Sequence, residues 1–272
     1  MDILKVIQKE LDVKLSQVEA AVQLIDEGNT IPFIARYRKE ATGSLNDEQL
    51  RQLDERLAYL RNLEKKKAQV LATIEEQGKL SDELRKEIEE AMTQVAVEDL
   101  YRPYRPKRRT RATVAKEKGL EPLANLILLQ MADKELSQYA KEYISEEKEV
   151  MDEAEALAGA LDIIAENISD EADYRTYIRK LTMEEGVLVS EAKNEAAVSV
   201  YEMYYHFTEP VKKLAGHRIL AINRGEKEKL LNVKLEVPEE RIFAYLRKKL
   251  IVRENPYTTP VLEEAADDSY KR

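Results

Sequence analysis

Apolar residues recur along this chain at three- and four-residue steps, the spacing that gathers them on one face of an α-helix. Ile3, Leu4, Ile7 and Leu11 form the first stripe. Ser16 and Glu19 make a capping-box pattern around Val18, Val22 and Ile25, and Gly28 can close that helix. A third helix is expected from residues 30–32, since proline is tolerated in a first turn. It carries Phe33, Ile34 and Tyr37, ends in Arg36, Arg38 and Lys39, and is broken at Gly43. Asn46 and Gln49 cap the longest expected helix, with Leu50, Leu53, Leu57, Leu60, Leu63, Val70, Leu71 and Ile74 in its stripe and Gly78 at its end. Ser81 opens a partner helix through Leu84, Ile88, Met92 and Val95, so the two read as an antiparallel hairpin. The lysines at 65–67 read as a solvated face of its longer arm.

Helical spacing resumes at Glu121, with Leu123, Leu126, Ile127 and Met131, and then Leu136, Tyr139, Tyr143 and Ile144. A further stripe runs from Ala154 to Ile168, and Ser169 is the expected cap of the next helix, which holds Tyr174, Tyr177, Ile178 and Leu181 and ends at Gly186. Residues 187–189 are a short apolar run of undecided type, and Tyr201, Tyr204 and Tyr205 read as core. Residues 217–237 begin as a helix, whereas Leu231, Val233, Leu235 and Val237 alternate as a strand does. Pro238 opens another helix with Ile242, Tyr245, Leu246 and Ile251. The pattern therefore predicts a mainly α fold with at most a minor β element. It divides into a helical region with a long hairpin (1–99), a basic connector (100–119), an acidic helical lobe (120–254) and the start of a continuation (255–272).

Composition adds limits to this picture. Charged residues make up 36% of the chain and aromatics 6%, with 8 glycines and 8 prolines in 272 residues, a mixture that favours helices. The absence of cysteine excludes disulfides and thiolate chemistry and is compatible with a reducing compartment. The first dozen residues are too polar for a signal peptide, and no apolar run approaches a membrane span. A cytoplasmic protein without membrane partners is expected.

The distribution of charge says more than its total of -9. Residues 1–120 hold 23 basic against 22 acidic side chains, whereas residues 121–175 hold 15 acids against four bases. Within the first part, Arg102, Arg105, Lys107, Arg108, Arg109, Arg111, Lys116 and Lys118 crowd into one segment opposed by Glu117 alone. Pro103 and Pro106 deny that segment a helix interior, and Tyr101 and Tyr104 interleave with its arginines. A rigid, extended cationic ribbon with aromatic faces suits a phosphate backbone. Arg36, Arg38 and Lys39, and separately Arg218, Arg224, Lys227 and Lys229, are secondary basic clusters.

Catalytic chemistry is not legible. His206 and His217 are the only histidines and lack a third ligand at metal spacing, so no metal is expected. There is no phosphate loop, dinucleotide fingerprint or nucleophile elbow, and hence no expected cofactor or active site. His217, beside Arg218, reads first as support for a buried helix terminus.

Three stretches together, IPFIARYRKEATGSL at 31–45, EDLYRPYRPKRRTRATVAKEKGLEPLA at 98–124 and HRILAINRGEKEKLL at 217–231, resemble the N-terminal region of the Tex family of bacterial transcription accessory proteins. That family is similar to a eukaryotic elongation factor that binds histones and RNA polymerase. The resemblance covers essentially the whole chain. It implies an extended helical platform with a helix-turn-helix-like module, and a role in transcription. It also implies that a ribonuclease-H-like domain, helix-hairpin-helix units and an RNA-binding OB-fold follow in full-length members. None of these is in the sequence, which therefore reads as an N-terminal fragment.

Two functional expectations follow. In one, the platform holds RNA or DNA without sequence preference, through the ribbon's cations and through stacking on Tyr101 and Tyr104. In the other, the ribbon is a structural strap, because arginine pairs equally well with carboxylates, and the platform docks a protein such as RNA polymerase. Neither reading is enzymatic.

Overall fold

The computed structural model describes residues 1–271, among which fourteen α-helices and one small sheet are found. The fold is mainly α. It forms two compact units, Met1–Tyr104 and Arg105–Arg272.

The first unit is built on one long helix. α1 (Ile3–Leu11), α2 (Leu15–Asp26) and α3 (Ile31–Tyr37) pack against α4 (Asp47–Glu76), whose 30 residues form the spine. Asn46 Oδ1 accepts from Gln49 N at 2.8 Å while Gln49 Oε1 accepts from Asn46 N at 3.0 Å, the reciprocal cap expected from sequence. For α2 the reciprocal bond comes earlier than expected, with Lys14 N donating to Gln17 Oε1 at 2.9 Å. Leu50, Leu53, Leu57, Leu60, Leu63, Val70 and Ile74 are buried along α4, against Ile7, Val18, Ala21, Ile34, Ile88 and Val97.

Two expectations for the hairpin are corrected. The partner arm is two helices, α5 (Asp82–Glu90) and α6 (Gln94–Tyr101), because Ala91 is extended and Thr93 Oγ1 accepts from Ala96 N to start a new helix. Met92 and Val95 are exposed as a result. Lys67 is not solvated but 3% exposed, since it falls on the Leu63–Val70 stripe, and its ammonium donates to Glu89 O at 2.7 Å.

The second unit surrounds α10 (Glu153–Asp170), which packs against α7 (Arg111–Glu117), α8 (Glu121–Leu128), α9 (Leu136–Ala140) and α14 (Thr259–Lys271). A Cβ on Gly159 would lie 2.4 Å from Leu120 Cδ1, so a glycine is needed where α10 passes beneath that side chain. Met131 lies beyond the end of α8 and is exposed, and Gln130 turns inward to bond Leu250 O at 2.7 Å. Ser169 lies inside α10 rather than capping α11 (Ala172–Glu185), for which Glu171 is the cap.

The sheet has the order β2-β1-β3, with β1 (Val187–Ala192), β2 (His206–Pro210) and β3 (Leu231–Glu236) antiparallel. The undecided run at 187–189 is thus its central strand, and β2 is an element the periodicity did not reveal. Leu188, Tyr201, Tyr204, Tyr205, Leu231 and Ile222 of α12 (Gly216–Lys227) make a separate small core. His217 is exposed in the first turn of α12, so it supports no buried terminus. Helix α13 (Glu239–Leu250) returns to the main core of the unit through Ile242 and Leu246.

Candidate nucleic-acid interface

The basic segment is not one extended ribbon. α6 runs through Tyr101, a 3-10 turn takes Arg102–Tyr104 and includes Pro103, and α7 starts at Arg111. Proline is acceptable in the tight turn because the missing amide falls where the helix has already ended. Between these helices only residues 105–110 are non-helical, and residues 118–119 form the turn that follows α7. Thr110 then restarts the helix, its Oγ1 accepting from Thr113 N at 3.1 Å.

Tyr101 and Tyr104 belong to the first unit, where both are half-buried against its core. Lys66 Nζ lies 5.7 Å from the Tyr101 ring centre, and the Tyr104 carbonyl accepts from Gln77 Nε2 at 2.9 Å. Arg102 is exposed on the turn between them.

The cations of the second unit fall into two sets. Lys107 lies against a pair of α10 carboxylates, bonding Asp170 and standing 3.4 Å from Glu166. Arg111 approaches Asp162 of the same helix at 3.4 Å and Asp268 of α14 at 3.8 Å. Lys118 Nζ donates to the Glu149 carbonyl at 2.6 Å, and Arg109 pairs with Glu117 at 2.9 Å across exposed surface. Arg105, Arg108 and Lys116 are exposed, with no carboxylate within 4.0 Å among the described residues. Asp162, Glu166 and Asp170 are spaced at four residues and so share one face of α10. The sequence showed their spacing, but an acid-rich helix offers many such triples and only the packing selects this one.

Arg109, Arg111 and Lys118 also line a groove of about 460 Å³, together with Ala158, Gly159, Glu155 and Asp162. Mixed charge in its lining weakens it as an anion seat compared with the open side chains of Arg105, Arg108 and Lys116.

The secondary clusters lie one in each unit. In α3, Arg38 Cζ lies 5.2 Å from the Phe33 ring centre and Arg36 Cζ 6.0 Å from that of Tyr37. In the sheet region, Arg218 is held by both Glu209 oxygens at 2.7 Å, and this bond raises the guanidinium pKa above its ordinary value. Arg224, Lys227 and Lys229 are exposed on and just beyond α12. Among the described residues no cluster of three or more potential metal ligands occurs, and no helix is long and apolar enough to cross a membrane.

Residues 1–75 match the Tex-like protein N-terminal domain, and residues 132–258 match the Tex central region-like family. YdcI of Bacillus subtilis is 48% identical over 269 residues, 98% of this chain and 37% of that protein. The transcriptional accessory protein Tex of Neisseria gonorrhoeae is 45% identical over 239 residues, 87% of this chain and 31% of that protein. The human S1 RNA-binding domain-containing protein 1 is 28% identical over 286 residues, 100% of this chain and 28% of that protein. The chain thus spans little more than a third at most of the length of these relatives. With two of the family's regions matched in order, and at these identities, the chain belongs to the Tex family.

Proposed function

We propose that this chain is a non-enzymatic, cytoplasmic platform that contributes to nucleic-acid association in a Tex-type transcription accessory protein. A helix-turn-helix-like module is part of this reading. Contact is made through Arg105, Arg108 and Lys116, which neutralise phosphates of RNA or DNA without reading sequence. One observation carries the proposal: these three cations are open, while Lys107 beside them is fastened to the acidic face of α10. The fastened lysine anchors the backbone from which Arg105 and Arg108 project, so less backbone freedom is lost on binding.

The names of the relatives support the same reading, since one is called a transcriptional accessory protein and another an S1 RNA-binding domain protein. The test is binding of labelled RNA and duplex DNA over a salt series. Log affinity is expected to fall with log salt by about 0.9 per phosphate contacted on duplex and about 0.7 on single strands. The R105A/R108A/K116A variant should lower that slope by about the number of contacts it removes. Absence of binding at low salt, or an unchanged slope in the variant, overturns the proposal.

A second reading is favoured by the pairing of Lys107 and Arg111 with Asp162, Glu166 and Asp170. Here the segment is a strap within its own unit and the platform docks a protein of the transcription machinery, such as RNA polymerase. Loss of fold stability in a K107A/R111A variant, with nucleic-acid binding unchanged in R105A/R108A/K116A, selects this alternative.

A further inference from the structure

Tyr37 is 61% exposed, whereas every other aromatic side chain among the described residues is buried or half-buried. It closes α3, where Ile34 is fully buried and anchors the helix against the core. The Phe33 ring lies 5.3 Å away, tilted by 46°, so the two rings form a shallow aromatic corner. Three cations surround it: Arg36 and Arg38 over the rings, and Lys39 next in the chain. Among the described residues none of the three has a carboxylate within 4.0 Å.

The loop after Tyr37 is tied down by its own backbone and by α2. Thr42 is fully buried, and its hydroxyl donates to Arg38 O at 3.1 Å, while its amide donates to the same carbonyl at 3.1 Å. Ser44 N donates to Lys39 O at 2.7 Å. Gln17 Nε2 of α2 ties the loop down by donating to Gly43 O at 2.8 Å and Thr42 O at 3.3 Å. The Arg38 guanidinium donates to Tyr37 O at 3.3 Å and so stays beside the two rings, and Lys39 is exposed.

We propose that Phe33, Tyr37 and the flanking Arg36, Arg38 and Lys39 form a stacking site for one unpaired base of single-stranded nucleic acid. An exposed ring offers its face to any base, an arginine plane can close over the far side, and adjacent cations meet the neighbouring phosphates. Bases in a duplex are already stacked and present no free face, so duplex DNA is a poor ligand. The site extends the nucleic-acid reading above but uses stacking and lies in the first unit, so it can fail independently.

The chain has no tryptophan, so a Y37W variant carries a unique fluorophore that preserves the stacking surface. An unstructured oligothymidylate should quench its indole emission, and a duplex at equal nucleotide concentration should leave it unchanged. A Y37L variant, with its melting temperature retained because the ring is exposed, should bind the single strand about tenfold more weakly. The R105A/R108A/K116A variant should leave the quench at saturation intact. An indole that stays silent while anisotropy reports oligonucleotide binding overturns the stacking site alone. Equal quenching by duplex, or wild-type affinity in Y37L, also overturns it. An unchanged salt slope in the triple variant, with quenching preserved, overturns only the phosphate contact of the second unit. Absence of binding to any oligonucleotide at low salt overturns both.

Discussion

Lys67 Nζ lies 3.0 Å from Glu64 Oε1, one turn back on α4, and the other oxygen of that carboxylate meets the Met1 ammonium at 3.1 Å. Burial opposes charge on Glu64, but Lys67 and the chain terminus outweigh it and hold its pKa below the ordinary 4.5. A depressed carboxylate contributes stability above the unfolded value and loses it as pH falls through the folded one. Wild-type stability should therefore decline as pH drops below about 4.5, and E64Q should flatten that part of the profile. K67M should cost about 1–3 kcal/mol at neutral pH, since the Glu89 carbonyl loses its buried donor and Glu64 its ion-pair partner. Denaturant midpoints measured across pH check both.

In the second unit, Lys107 and the triad Arg105, Arg108 and Lys116 should separate cleanly. K107A removes the cation held between Glu166 and Asp170 and should cost about 1–2 kcal/mol of stability, because charge-assisted bonds to partly buried carboxylates exceed surface pairs. R105A/R108A/K116A removes open side chains and should shift the melting temperature little. Thermal melts of the two variants check this before any binding assay.

How far the sequence reached depends on what each residue had to find. The α4 stripe and its Asn46–Gln49 cap were legible because both are local: spacing and a three-residue reciprocal bond decide them. Lys67 runs against its residue type, since lysine belongs to the surface by composition and only its position on the Leu63–Val70 stripe overrides that. The break between α5 and α6 has no sequence signal at Ala91, which carries no turn chemistry of its own. Strand β2 reads HFTEP, too short and polar to declare itself, and exists through pairing with β1. The basic segment was conspicuous as charge, but which cations are fastened depends on α10, more than forty residues away.

Gly43 and Gly78 both adopt left-handed backbone, at φ 56° and 67°, but in different surroundings. A Cβ at Gly78 meets nothing within 4 Å, so G78A should cost only the backbone term of about 1–2 kcal/mol. At Gly43 the Cβ would lie 3.0 Å from Gln17 Nε2 and 3.1 Å from its Cγ. Gln17 cannot yield freely, because it bonds Lys14 N, Thr42 O and Gly43 O together. G43A should therefore be the more destabilising of the two, and it should also weaken single-strand binding by loosening the loop that presents Arg38 and Lys39. Chemical denaturation and the indole quench in a Y37W background check the two effects.

Ser190 sits at the centre of β1, fully buried, and its Oγ has no hydrogen-bond partner among the described residues. It pairs across the sheet with Phe207 and Val233, in a core otherwise made of leucine, isoleucine and tyrosine rings. An unsatisfied buried hydroxyl is a cost the fold carries, and removing it leaves a cavity of a single oxygen. S190A should consequently be neutral or more stable by up to about 1 kcal/mol, against the usual direction of a truncation in a core. An adjacent control such as L188A should lose about 2–5 kcal/mol by cavity formation. If S190A instead destabilises by a comparable amount, the hydroxyl has a partner in solution, and amide exchange along β1 and β3 would show which strand holds it.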